Sequence, residues 1–206
     1  THLNVFEEFD PVLGPEHRRA PFVFLANIDP DLQYRVLDQV DDPALIAADT
    51  MNFWIQGKRK ALLRTLERVD LLVLNEAEAR MLADEPNLVR ASQVIRSWGP
   101  KGVVIKRGEH GAMLVDKSGV FCVPAFPLEE PHDPTGAGDC FAGGFMGYLA
   151  GERKHNDAAL RRAMVYGSVL GSFAVERFGL DRLRTLKRTE IKARARHFLK
   201  LTTFKL

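Results

Sequence analysis

The residues of this chain best placed to do chemistry lie in Asp133-Pro134-Thr135-Gly136-Ala137-Gly138-Asp139, followed by Cys140-Phe141-Ala142-Gly143-Gly144-Phe145. Small residues stand where a helix begins. The first backbone N–H groups of a helix have no intrahelical partner, and the helix dipole adds about half a positive charge there, so the turn suits an anion. Gly136, Ala137 and Gly138 let that anion approach the main chain. Asp139 falls in the first helical turn, within reach of whatever the amides hold. A carboxylate base beside a phosphate-sized anion hole points to phosphoryl transfer. Taken alone, Asp139 would do no more than offset the dipole and the glycines would only permit packing; the combined string favours a functional site. A dinucleotide fingerprint fits poorly, because Phe141 replaces the third glycine and Glu129-Glu130-Pro131-His132 is no buried strand. A P-loop lysine motif is absent from the sequence.

Other candidates lie at the carboxyl ends of expected strands, where α/β proteins open a ligand crevice. Asn75 and Glu78 frame one such end. Glu78 suits Mg²⁺ held through water, and the same pair equally suits a capping box. Lys106, followed by Gly108 and Gly111 in an open turn, suits a phosphate or a surface acid. Asp49 and Asn52 are candidate substrate contacts, with a plain turn over Phe53 and Trp54 as the alternative. Asn27 and Asp29 read as a helix entry.

The glycine-rich string resembles the second signature of the ribokinase-like, or PfkB, family of carbohydrate and nucleoside kinases. Asn75-Glu76-Ala77-Glu78 looks like that family's Asn-x-x-Glu motif, and Val104-Ile105-Lys106-Arg107-Gly108-Glu109-His110-Gly111 is similar to its strand-end segment at the nucleotide. Order and separation agree for all three. The resemblance implies a three-layer α/β/α fold, ATP and Mg²⁺ as cofactors, and a sugar or nucleoside acceptor. It makes Asp139 the general base, with Gly136, Ala137 and Gly138 as the anion hole. Asn75, Glu78, Lys106, Gly108 and Gly111 would serve the nucleotide and its metal, and Asp49 and Asn52 the acceptor side. Asp133 and Thr135 are offered for a monovalent cation such as K⁺. The base would rest between the linker Val120 to Pro127 and the helix Ala163 to Phe173. Small residues Gly167, Ser168, Gly171 and Ser172 on that helix suit helix packing better than a base. A nucleotide-binding or regulatory module without turnover is the alternative function, and a structural pairing subunit a third.

Positioning these residues requires a particular order of elements. Apolar runs at Pro21 to Ala26, Ala44 to Ala48, Leu71 to Leu74 and Gly102 to Lys106 predict buried strands. Between them helices are predicted after Asp31 as cap, with Leu32, Val36, Leu37 and Val40 on one face, and at Arg59 to Val69, Glu76 to Ala83 and Leu88 to Trp98. This β-α alternation with wholly apolar strands predicts a largely parallel sheet covered on both faces. Ala112 to Asp116 and Val120 to Val123, broken by Lys117-Ser118-Gly119, predict a hairpin. A proline-rich connector, Pro124 to Pro134, leads to helices at Ala137 to Ala150, Asp157 to Arg177 and Glu190 to Lys200. Residues 1 to 20 show neither strand nor clear helix.

The 206 residues predict one kinase domain across 1–206, with ample core. With 29 basic and 27 acidic side chains the formal charge is +2, which creates no field that would imply nucleic acid. The basic stretch Arg182 to Lys205 reads as a solvated helix with an apolar stripe of Ile191, Ala195, Phe198 and Leu199. Cys122 and Cys140 read as small buried hydrophobes in a reducing cytoplasm, and no membrane span or signal peptide is evident. Family members normally begin with a further N-terminal portion, on the order of a hundred residues, carrying the first strands, the lid and acceptor motifs. None of these motifs precedes Phe22. The fold is therefore expected to be N-terminally incomplete, as a fragment or a shortened relative. A companion N-terminal segment or a homo-oligomer is expected to cover the exposed strand edge.

Overall fold

A computed structural model describes residues 9–152 and 155–203. Six strands form one sheet in the order β1 (Phe22–Leu25), β2 (Leu45–Asp49), β3 (Leu71–Asn75), β4 (Gly102–Lys106), β5 (Ala112–Asp116), β6 (Gly119–Val123). Parallel pairing sets Phe22 opposite Leu45 and Ala47 opposite Leu71. Two parallel neighbours need a crossover, and helices supply it; Lys117 and Ser118 alone join β5 to β6, which makes that pair a hairpin. Successive residues of a strand face opposite sides, yet Leu72, Val73, Leu74, Val103, Val104 and Ile105 are all 0% exposed. Both faces of the central strands are thus covered, giving an α/β fold of three layers.

The chain divides into two compact units. The first runs to Ile105 and includes Val115–Gly119. It opens with one helical turn, α1 (Pro15–Arg18), where no helix was expected. Proline at its first position and Glu16 beside the N-terminus stabilise so short a turn. In α2 (Pro30–Leu37) the cap is Asp29, not Asp31: Asp29 Oδ1 accepts the Asp31 N–H at 3.0 Å, and Pro30 occupies N1. Lys58 Nζ pairs with both, 2.7 Å from Asp29 and 2.9 Å from Asp31. After Asp49 the chain forms a short helix, α3 (Asn52–Gly57), where a plain turn was the alternative to a substrate contact, and α4 (Arg59–Leu66) packs against α2. The Thr65 hydroxyl fastens that contact by donating to Pro30 O at 3.0 Å. α5 (Glu76–Ala83) lies on α6 (Leu88–Arg96), each beginning at an asparagine cap. Leu62, Leu66, Leu72 and Leu82 are fully buried here, each worth about 1.5–3 kcal/mol in transfer free energy.

The second unit comprises Lys106–Leu114 and the chain from Val120. α7 (Ala137–Glu152) packs along α8 (Asp157–Ala174), which also carries α9 (Asp181–Thr185) and α10 (Arg188–Thr202). Close approach of α7 and α8 depends on missing side chains: a β-carbon on Gly144 would stand 2.7 Å from Tyr166 O. On α10 the apolar stripe holds only in part, since Phe198 is buried but Leu199 is 65% exposed. Arg194 takes the inward place instead.

The cysteines are not both buried. β6 ends the sheet order, so only alternate residues of it face inward, and Cys122 is exposed. Cys140 is half-buried; burial pushes its thiol up, and the charge of Asp139 adds to this. Iodoacetamide at neutral pH is therefore expected to label Cys122 well before Cys140, because the thiolate is the reactive form. Peptide mass spectrometry over a time course checks the order; prior labelling of Cys140 would contradict this placement. Among the described residues no helix is long and apolar enough to cross a membrane.

Candidate functional site

Strand β4 ends at Lys106, half-buried at the start of a five-residue reversal into β5. The reversal closes through Arg107 N–H to Gly111 O at 2.8 Å, around one 3₁₀ turn at Gly108–His110. Gly111 has φ +86 and lies against the chain leaving β6.

The glycine-rich string forms the entry to α7. His132 N–H donates to Val175 O at 2.8 Å, anchoring the connector at the end of α8. Asp133 Oδ1 then accepts the Thr135 N–H at 3.0 Å. That bond, the Thr135 hydroxyl and the Gly179 backbone together hold the Asp133 carboxyl below the usual carboxylate range. Gly136 turns the chain with φ +77, and Cys140 N–H to Gly136 O (2.9 Å) is the first bond of the helical ladder. The Ala137 amide departs from its expected role, since it donates to Pro134 O at 3.1 Å. The amides of Gly138 and Asp139 precede the ladder and present the positive end of α7. The Asp139 side chain is exposed.

Lys106 meets this helix end. A β-carbon on Gly138 would lie only 3.2 Å from Lys106 Nζ, so the ammonium rests against the α7 backbone. Both carry positive charge, so an anion bound beside them would interact favourably with each. They border a cavity of about 550 Å³, also lined by Gly108, Gly111, Phe126, Pro127, Phe141, Ser168, Gly171 and Ser172. Of the site residues read from the sequence, Lys106, Gly108, Gly111, Ala137 and Gly138 share this cavity; Gly136, Asp139, Asp133 and Thr135 adjoin it along the chain but do not line it. The hydroxyl of Ser168, in the cavity wall, is buried without a hydrogen-bond partner.

The remaining candidates belong to the first unit. Asn75 and Glu78 form a complete capping box: Asn75 Oδ1 accepts the Glu78 N–H (2.8 Å), and Glu78 Oε2 the Asn75 N–H (2.7 Å). Asp49 is 5% exposed, with Oδ1 accepting the Thr50 N–H at 2.7 Å; Asn52 is exposed at the start of α3. Asn27 Oδ1 receives Trp54 Nε1–H (3.0 Å). Among the described residues no three His, Cys, Asp or Glu side chains gather as a metal cluster.

Two participants escaped the sequence reading. Gln33, 2% exposed, donates to Leu25 O, Ala26 O and Asp49 O, tying together the ends of β1 and β2. A glutamine within the apolar face of α2 was the available signal. Phe126 was inside the linker assigned to the base but was not singled out; an aromatic among prolines marks it.

Known proteins resemble this chain in sequence and in fold. The model of the pfkB family of carbohydrate kinases matches residues 46–185. A cytidine kinase of Thermococcus kodakarensis is 46% identical over 155 residues, covering 72% of this chain and 55% of that protein. The nucleoside kinase structure from Methanocaldococcus jannaschii superposes with a TM-score of 0.73 at 20% identity, over 94% of this chain and 60% of that one. A ribokinase-like E. coli structure in complex with ATP and Mg²⁺ gives 0.65 at 29% identity, over 83% and 58% of the two chains. The chain spans about half the length of the curated relatives it matches, 55% and 53% for the first two. With its glycine-rich helix entry and the matched stretch from β2 to α9, this chain belongs to the pfkB family of carbohydrate kinases.

Proposed function

We propose that this chain is the nucleotide-binding and base-bearing part of an ATP-dependent kinase that phosphorylates a hydroxyl of a nucleoside or sugar. The observation that carries the reading is Lys106 Nζ lying against Gly138 at the positive end of α7, inside a roomy cavity. The residues fit a nucleotide. The cationic end suits phosphates, the walls of Phe126, Pro127, Phe141 and Val175 suit a flat base, and the orphaned Ser168 hydroxyl offers a polar contact. The cytidine kinase relative favours a nucleoside over a free sugar as acceptor.

In this mechanism the Asp139 carboxylate takes the proton of the acceptor hydroxyl as its oxygen attacks the γ-phosphorus. The bond to the β-γ bridging oxygen breaks in line, and ADP leaves. Lys106 and the Gly138 and Asp139 amides offset the charge that develops on the transferred group. Mg²⁺ would neutralise phosphate oxygens when bound, held mainly by those oxygens and water. The same assay in sodium and in potassium salts tests whether Asp133 and Thr135 serve a K⁺ ion.

Replacing Lys106 with Ala is expected to weaken ATP binding by about ten- to a hundredfold, the equivalent of one charge-assisted hydrogen bond. Isothermal titration calorimetry of wild type and variant measures this. Equal affinities would remove the central support for the kinase reading.

A further inference from the structure

Arg194 does not line the cavity, yet it touches two residues that do. Its guanidinium carbon lies 4.5 Å from the ring centre of Phe126 and 3.5 Å from that of Phe173. Nη1 donates to Ser172 Oγ at 3.0 Å, and Nη2 pairs with Glu176. Phe126 and Ser172 both face the cavity. The Ser172 hydroxyl already donates to Val169 O at 2.7 Å, so the bond from Arg194 fixes the rotor and leaves one lone pair for a ligand.

Arg194 is itself held. Glu176 also accepts Arg182 Nε–H at 2.7 Å, and Arg182 Nη2 meets Glu190 Oε1 at 2.5 Å, closing a neutral quartet of two arginines and two glutamates. Only 14% of the Arg194 side chain is exposed. His197 and Phe198, also on α10, approach Phe126 at 5.3 and 5.8 Å between ring centres. The connector carrying Phe126 has no regular secondary structure, and α10 supplies these contacts to its ring. Lys106 and Gly138 are the cavity's positive end, so phosphates belong there and Phe126 and Ser172 remain for the base.

We propose that Arg194 is a positioning residue for nucleobase binding, acting through Phe126 and Ser172 to set the wall on which the base rests. This rests on the nucleotide reading above. A guanidinium is suited to the task because its plane stacks on rings while its edge donates, which a lysine ammonium cannot do at once.

The test compares ATP with inorganic tripolyphosphate, which has the phosphates and no base, by calorimetry on the chain. Arg194→Ala is expected to raise the Kd for ATP at least about tenfold, the scale of a desolvated cation–π contact, and to leave tripolyphosphate within about twofold. Arg194→Lys is expected to restore part of the ATP affinity. Phe126→Ala should match Arg194→Ala, and the double variant should lose no more than the worse single one. Equal ATP binding by Arg194→Ala, equal weakening of both ligands, or additive losses would overturn the role. If Arg194→Ala lacks a cooperative melt, Arg194→Lys carries the test alone, and an unchanged ratio of the two affinities overturns it. Wild type that binds ATP while Arg194 variants behave alike sinks this inference only. Wild type that binds neither ligand sinks the nucleotide reading and this inference with it.

Discussion

Changing Asp139 to Asn is expected to lower kcat by at least about a hundredfold, the lower range for loss of a general base, with ATP affinity nearly unchanged. The amide occupies the same volume and keeps the helix entry, but it cannot take a proton. The Gly138 and Asp139 main-chain donors and Lys106 are untouched, so phosphate binding persists. Asp139 lies outside the cavity lining and is exposed, which is where a base must be to meet an acceptor arriving from solvent rather than the nucleotide. ADP release over a panel of nucleosides and sugars gives kcat, and calorimetry gives the affinity. A variant with wild-type kcat would exclude Asp139 as the base. Wild type that binds ATP but turns over none of the panel would favour a binding or regulatory module.

The largest structural effect is expected at Gly111. A β-carbon there would stand 2.0 Å from Val123 O, 2.6 Å from Pro124 C and 2.7 Å from Ala125 N, all main chain, and φ is +86. No side chain can swing aside to relieve the overlap. Gly111→Ala is expected to cost more than about 3 kcal/mol, which for a chain of this size lowers Tm by roughly 6–12 °C or more. Gly108 is the control three residues away: φ is +55 and nothing lies within 4 Å of a β-carbon, so Ala costs only about 1–2 kcal/mol of left-handed strain. Circular-dichroism melts of the two variants measure the difference. Equal melting shifts would show that the tight passage of Gly111 beneath the connector is not maintained in solution. The clash involves the backbone just before Phe126, so a folded Gly111→Ala protein would also present an altered cavity wall.

Local sequence determined most of the elements of this chain. β4 and α5 have the predicted bounds because apolar runs and an Asn cap with Glu three residues on are short-range signals. The glycine-rich string was legible as an anion-binding helix entry for the same reason: its donors, its turn and its carboxylate are neighbours along the chain. Tertiary structure decided what depends on distant partners. The place of β6 at the end of the sheet order left Cys122 in solvent. Ala137 lost its expected role when its amide turned to Pro134 O. The Lys106 ammonium comes to lie against Gly138, 32 residues on in sequence, only through the fold. Arg194 looked like one more solvated charge in a basic run, and only the packing of α10 on α8 and the connector brought it under Phe126 and Ser172. Contacts between residues far apart in the chain leave no periodic trace, since either partner alone is an ordinary side chain, and the pairing exists only once the backbone has folded.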